Sequence, residues 1–131
     1  MTRTPEADAN SRLAFDRTRL AYERTMLSWI RTATSLITFG FGIHQVFRIA
    51  DAAAPGALRA EVPHVFGSVM VVAGLATLLL ASLDHRGSMR ALAAEYPPSA
   101  GYPQLPRSYA RLMAALIGLL GVGALVLMHL P

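Results

Sequence analysis

Three long stretches of this chain are apolar enough to cross the hydrocarbon core of a bilayer, which requires about 20 helical residues. They cover approximately residues 27–47, 62–83 and 112–131. No side chain between Glu61 and Asp84 carries a formal charge, and none after Arg111 does. Of the 131 residues, 53% are hydrophobic and 15% are charged, which is unusual for a soluble domain. We therefore expect an all-α membrane protein whose single domain, residues 1–131, has three transmembrane helices.

The polar segment before the first stretch also predicts a helix. Residues 10–26 contain no Pro or Gly, and Leu13, Leu20 and Leu27 recur at seven-residue spacing. We expect an amphipathic cytoplasmic helix over about 10–26 that continues into the first span. A second short helix is predicted over 88–95, followed by an extended Pro-rich loop. Residues 1–10 lack the apolar core of a secretory signal peptide, so the first span is expected to direct insertion.

The distribution of arginine predicts the orientation in the membrane. The N-terminal segment and the loop between the second and third spans are rich in arginine, whereas the other loop holds only Arg48 and Arg59. The positive-inside rule then places the N-terminus in the cytoplasm and, after three crossings, the C-terminus outside. Trp29 is expected to anchor the first span at the cytoplasmic interface.

One face of the first helix carries a continuous series of basic, polar or small residues, here called the polar seam. Steps of four and three residues give Arg17, Ala21, Arg24, Ser28, Arg31, Ser35, Thr38, Gly42, Gln45 and Arg48. Spacing of 3.5 residues keeps these positions on one face of a gently supercoiled helix. A charged side chain within a membrane normally faces protein or a water-filled cavity. Because three helices cannot enclose such a cavity, the seam predicts a homo-oligomer with first helices around an axis. The residues expected to line a pore or contact an anion are Arg17, Arg24, Ser28, Arg31, Ser35, Thr38 and Gln45.

The same residues are compatible with a protein that conducts nothing. Ser, Thr and Gly are common where membrane helices pack together. Arg31 is close enough to the cytoplasmic end to extend towards the headgroups. Arg17 and Arg24 are suited to binding anionic lipid. The residues alone therefore leave two hypotheses open: an anion pore, and a scaffold or accessory subunit that binds anionic lipid or a partner protein.

Two acidic residues near the cytoplasmic interface are candidates for ion pairs. Glu23 follows Arg19 by one helical turn, so it is placed to pair with Arg19 or with an arginine of a neighbouring subunit. Asp84, at the end of the second span, reaches Arg24 or Arg31 only if the helices pack in that arrangement.

Several kinds of chemistry are not expected. The absence of Cys excludes disulfides and thiolate sites, and the four histidines lie on separate segments without metal-ligand spacing. The sequence has no phosphate-binding Gly loop, nucleophile elbow or metalloprotease helix. We expect no enzymatic activity, cofactor, metal or nucleic-acid partner. Five glycines are predicted to mark close helix contacts: Gly67, Gly74, Gly118, Gly121 and Gly123.

Residues 20–32, Leu-Ala-Tyr-Glu-Arg-Thr-Met-Leu-Ser-Trp-Ile-Arg-Thr, resemble the signature of the YidH-like family of bacterial inner-membrane proteins (domain of unknown function 202). Residues 86–92 and the Tyr-Pro-Pro sequence after them are similar to that family as well. The resemblance implies three transmembrane helices in the bacterial inner membrane.

A related domain forms the membrane part of the vacuolar transporter chaperone complex, which makes polyphosphate and moves it across a membrane. There, five such domains surround a pore lined by basic residues of their first helices. The resemblance implies a homopentamer in which Arg24 and Arg31, with Arg17 one heptad earlier, meet an anion or a polyanion such as polyphosphate. We expect no polyphosphate synthesis, because the sequence has no counterpart of that complex's synthetic or inositol-phosphate-sensing domain.

Overall fold

The structure, a computed structural model, describes residues 5–53, 61–97, 102 and 108–130. Its three helices are α1 (Pro5–Ala53), α2 (Glu61–Glu95) and α3 (Tyr109–His129). With 49 and 35 residues, α1 and α2 are about 73 Å and about 52 Å long. All regular secondary structure in the described residues is helical, which confirms the all-α prediction.

Two of the three helices, α2 and α3, are long and apolar enough to cross a membrane, and each contains an 18-residue stretch with a mean hydropathy of 2.2. This agrees with the predicted second and third spans. The apolar part of α1 is interrupted by Arg31 and by the polar seam, and α1 is not one of these two helices. A crossing by residues 27–47 therefore stays a prediction.

The helices are longer than the sequence predicted. α1 runs without a break through 10–26 and 27–47 and begins at Pro5, a residue suited to the first turn of a helix. Residues 88–95 are helical as predicted, and they continue α2 instead of forming a helix of their own. No Pro interrupts residues 84–95, and α2 ends just before Pro97, where a proline disfavours further helix. Most of the predicted Pro-rich loop lies outside the described residues.

α1 and α2 pack with their backbones close together at two glycines. A Cβ atom added to Gly67 would lie 2.7 Å from the Gly40 carbonyl oxygen, and one added to Gly40 would lie 2.6 Å from the Gly67 oxygen. Further along, a Cβ atom at Gly74 would lie 2.9 Å from the Ala33 oxygen. Small residues allow this kind of close approach between membrane helices. The predicted close contacts at Gly67 and Gly74 are confirmed.

α3 packs against both other helices. A Cβ atom at Gly121 would lie 2.8 Å from Leu75 and 2.9 Å from Ile37, so this predicted contact is confirmed. Gly118 makes only an ordinary approach of 3.5 Å to Leu78. The prediction for Gly123 is wrong within the described residues, none of which comes within 4 Å of its added Cβ atom.

The buried side chains form two clusters at different heights along the bundle. One contains Met26, Ile30, Ala33, Leu78, Ala81, Ala110 and Ala114, and the other contains Ile37, Val71 and Met128. Beyond the first cluster, the buried Phe15 ring contacts Tyr96 and Tyr102, with centroids 5.5 and 6.2 Å away. The N-terminal half of α1 is therefore held against the C-terminal end of α2.

The glycine contact gives a testable prediction for stability. Gly67→Ala should destabilise the folded protein by about 1–3 kcal/mol, because the added methyl group forces two backbones apart. Gly87→Ala is the matched control on α2, since no atom of the structurally described part of the chain lies within 4 Å of a Cβ atom added there. It should be neutral or stabilising by up to about 1 kcal/mol, through higher helix propensity. Thermal unfolding in mild detergent measures both, and equal melting temperatures for the two variants would contradict the packing described.

Candidate functional site

The polar seam lies on the face of α1 opposite its buried side chains. The buried residues of α1 recur along the other side of the helix: Phe15, Met26, Ile30, Ala33, Ile37, Gly40 and His44. Of the seven predicted site residues, Arg17, Arg24, Ser28, Arg31, Ser35 and Thr38 are exposed, and Gln45 is half-buried. Neither α2 nor α3 covers this face, so the seam has no protein neighbour among the described helices.

Two arginines of the seam, Arg24 and Arg31, have no ion-pair partner among the described residues. The side chains of Arg24 and Arg31 form no ion pair or hydrogen bond with any other described residue. The Ser35 hydroxyl instead donates to the Arg31 backbone carbonyl at 3.0 Å, as serines in membrane helices commonly do. At Arg24 and Arg31 the seam therefore presents unpaired positive charge, close to the Ser35 hydroxyl, which its own helix already satisfies.

The two acidic candidates lie away from the seam. A Glu23 carboxylate oxygen is 3.8 Å from Arg19 Nε, and the same guanidinium is 4.0 Å from Asp16. Asp84 is exposed on α2, in a shallow depression shared with Trp29. The described residues hold no ion pair between Asp84 and either seam arginine, because α2 packs against the opposite face of α1.

A cavity of about 350 Å³, here called the basic cavity, lies where α1, the end of α2 and the start of α3 meet. Four arginines line it against a single glutamate. Its lining residues are Arg19, Glu23, His85, Arg86, Met89, Arg90, Ala93, Ser108 and Arg111. Such a concentration of guanidinium groups is suited to an anion, because guanidinium matches the geometry of phosphate and carboxylate oxygens.

A family model described as "Domain of unknown function (DUF202)" matches residues 17–91, more than half of the chain. The chain belongs to the DUF202 family. DUF202 is a membrane family, which agrees with the apolar helices α2 and α3 and confirms the resemblance seen in residues 20–32. No curated protein and no solved structure matches the chain.

The DUF202 match covers the whole polar seam but only part of the basic cavity. It begins at Arg17, so it includes the whole polar seam. It also includes the part of the basic cavity that α1 and α2 supply, except Ala93, but not Ser108 or Arg111 at the start of α3. The third wall of the cavity is thus a feature of this chain outside the matched region.

The basic cavity escaped the sequence analysis because its arginines were interpreted only as signals of orientation. Arg86 and Arg90 are four residues apart, which places them on one face once α2 is known to continue through them. This spacing was the available signal. The contribution of Arg111 depends on how α3 returns to the bundle, which no local pattern shows.

The structure also brings together two histidines that the sequence analysis treated as separate. The rings of His44 and His64 meet edge to face with centroids 4.4 Å apart. Within the described residues, no group of three or more His, Cys, Asp or Glu is placed to hold a metal ion. The pair therefore acts as a contact between α1 and α2.

His85 is the buried titratable group of the basic cavity, just beyond the predicted second span. It is 3% exposed, and its Nε2 atom lies 3.5 Å from the Ser108 hydroxyl. Burial, the largest effect, lowers the pKa of His85, and Arg111 lowers it further, while Glu23, Asp84 and the Tyr22 carbonyl oppose the shift. His85 is therefore neutral at pH 7.

The lowered pKa of His85 predicts a dependence of stability on pH. The unfolded chain binds this proton below about pH 6.5, whereas the folded chain resists it. Stability should therefore fall as the pH drops below about 6.5. His85→Gln should make the melting temperature less sensitive to pH between about 7.5 and 5.5. The exposed His129→Gln is the control, and an equal change in both variants would contradict a role for buried His85.

Proposed function

We propose that this DUF202 protein is a homo-oligomeric protein of the bacterial inner membrane that moves an anion or polyanion along an axis lined by polar seams. The observation that carries the proposal is the position of the seam, which faces away from its own chain with Arg24 and Arg31 unpaired. Several copies arranged with their seams inwards would shield these groups from lipid.

The packing of α1 supports a third membrane crossing. Met26 and Ile30 share a buried cluster with Leu78 and Ala81, near one end of the predicted second span. Gly40 meets Gly67 near its other end. Because α2 is apolar enough to cross a membrane, the part of α1 beside it is placed at the same depth. Arg31 then lies about one turn inside the membrane, where a charge requires water or protein around it.

The clustering of arginine at one end of the bundle supports the proposed orientation. Arg19, Arg86, Arg90 and Arg111 come together in the basic cavity, whereas Arg48 is near the far end of α1. The positive-inside rule assigns the arginine-rich end to the cytoplasm. The N-terminus is then cytoplasmic, and the chain after α3 is outside.

The spacing of the seam suits a chain of negative charges. Arg17, Arg24 and Arg31 recur every seven residues, so successive rings in an oligomer lie about 10 Å apart along the axis. A polyanion reaches one ring before it leaves the previous one, which gives weak binding at several sites and permits movement. Five subunits and a polyphosphate-like substrate are proposed from the resemblance to the membrane domain of the vacuolar transporter chaperone complex.

The alternative function is a scaffold or accessory subunit that conducts nothing. The internal hydrogen bond of Ser35 favours it, because a hydroxyl satisfied by its own helix packs against protein without water. In this case the seam arginines bind anionic lipid or the cytoplasmic face of a partner protein.

Substitution of the two unpaired arginines distinguishes the alternatives. Arg31→Ala should reduce anion flux into liposomes, or reverse the preference for anions, because it removes the positive charge inside the span. It should not impair insertion, since an arginine at the centre of a span costs about 2.5–3.5 kcal/mol, and less near the interface. Arg24→Ala should weaken anion capture at the mouth, with an effect that diminishes as salt screens the exposed charge.

Arg12→Ala is the matched control, because Arg12 is an exposed arginine of α1 that lies off the seam. Native mass spectrometry of each variant establishes that the oligomer remains intact. The conducting function is overturned if the wild-type protein passes chloride, phosphate and short polyphosphate no faster than protein-free liposomes. A monodisperse monomer in nanodiscs would overturn the oligomer itself.

A further inference from the structure

An apolar groove between α2 and α3 continues directly from the basic cavity. Its volume is about 280 Å³, and Arg86 and Arg111 line both spaces. Apart from these arginines and Ser82, the groove is lined by apolar side chains and a glycine: Leu75, Leu78, Leu79, Ala114, Ala115, Gly118 and Val122. One continuous depression is therefore strongly basic at one end and apolar along the rest.

The two parts of this depression lie at different depths. Arg86 follows the predicted end of the second span, and Arg111 precedes the predicted start of the third. The basic cavity is therefore at the level of lipid headgroups, and the groove extends into the hydrocarbon. This arrangement matches a ligand with an anionic head and a long apolar tail.

The start of α3 adds backbone donors to the basic cavity. Ser108 is the N-cap residue, but its side chain makes no capping hydrogen bond, and the first turn of α3 contains no acidic residue. The first N–H groups of a helix lack intrahelical partners, and its N-terminal end carries partial positive charge. Since Ser108 and Arg111 line the cavity, this end of α3 contributes to its attraction for an anion.

A buried nitrogen atom at the basic cavity, Nε of Arg19, makes no hydrogen bond within the described residues and has only Glu23, at 3.8 Å, as an ion-pair partner. An unpaired buried polar group is costly, and so is the mutual repulsion of four arginines that face one glutamate. An anion in the cavity offsets the repulsion and gives the guanidinium groups acceptors.

We propose that the basic cavity binds the phosphate group of an anionic phospholipid, with an acyl chain in the groove between α2 and α3. Basic pockets between transmembrane helices on the cytoplasmic side are suited to such headgroups. A soluble phosphate would fill the cavity but make no use of the groove. This site does not depend on the proposed function, because Arg19 and Glu23 lie on the face of α1 opposite the polar seam.

Lipid binding by the full-length protein in neutral detergent tests the proposal. Native mass spectrometry compares dioleoyl phosphatidylglycerol with dioleoyl phosphatidylcholine, which has the same acyl chains but no net charge. The anionic lipid should bind at least about tenfold more tightly, as expected for charge-assisted hydrogen bonds to phosphate in a site selective for net negative charge. The double variant Arg86→Gln, Arg111→Gln should lose at least about tenfold in affinity for it.

Two further variants make the result specific. Arg24→Gln combined with Arg31→Gln removes the same charge from the seam and should leave the affinity within about twofold, because additive effects are expected for separate sites. Gly118→Leu leaves every charge in place but fills the groove, where the nearest atom to an added Cβ is Leu78 Cδ2 at 3.5 Å. It should weaken binding of the lipid. The affinity for glycerophosphoglycerol, the water-soluble headgroup, should stay unchanged when it is measured by competition with the lipid. Melting temperatures establish that the variants are folded.

Three results would overturn the site. The first is equal binding of the two lipids by the wild-type protein. The second is an equal loss of binding in the seam variant, which would assign lipid to the seam and support the scaffold function instead. The third combines two observations: inorganic phosphate displaces the lipid at a concentration equal to that of the lipid, and Gly118→Leu does not change lipid binding. Together they would indicate that the cavity binds a soluble anion. Anion flux in liposomes is a separate readout, so failure of the pore leaves this test unaffected.

Discussion

The close approach of α1 and α2 at Gly40 and Gly67 determines which face of α1 packs against α2 and which face stays exposed. Each carbonyl oxygen lies only 2.6–2.7 Å from the position that a Cβ atom of the other glycine would occupy, so the backbones meet with no room for a side chain between them. The polar seam is on the opposite side of α1, so the same contact turns it outwards. The buried residues and the seam residues of α1 both recur about every 3.5 residues. The two faces therefore stay on opposite sides along the helix.

Most arginines of the described residues lie on two surfaces, the polar seam and the basic cavity. Arg24 and Arg31 are unpaired on the seam, and Arg86 and Arg111 belong to the cavity on the other side of α1. Glu23 is the one carboxylate among the residues that line the cavity. The described residues therefore leave both surfaces short of counter-charge, and the two surfaces offer an anion different surroundings. The seam has polar neighbours suited to a hydrated anion, and the cavity opens into an apolar groove suited to lipid.

The sequence predicted those features that depend on a pattern within one helix. Uninterrupted apolar residues predicted α2 and α3, and regular spacing predicted which residues of α1 share a face. Features that depend on how helices meet were missed or wrong. The buried contact of Phe15 was not anticipated, whereas Leu13 and Leu20 are about half exposed in the bundle and the amphipathic helix stays a prediction. The basic cavity could not be predicted, because it requires the full length of α2 and the return of α3.

The most direct test of a polar path along α1 is the reactivity of thiols placed on the seam in a lipid bilayer. The chain has no Cys, so Ser35→Cys gives a single thiol, and Leu79→Cys on the exposed face of α2 gives its lipid-facing counterpart. A membrane-impermeant methanethiosulfonate reagent should modify the cysteine at position 35 but not the one at 79. A negatively charged reagent should react faster than a positively charged one, because Arg31 lies one turn away. Equal protection of both cysteines from either reagent would contradict a water-filled, arginine-lined path.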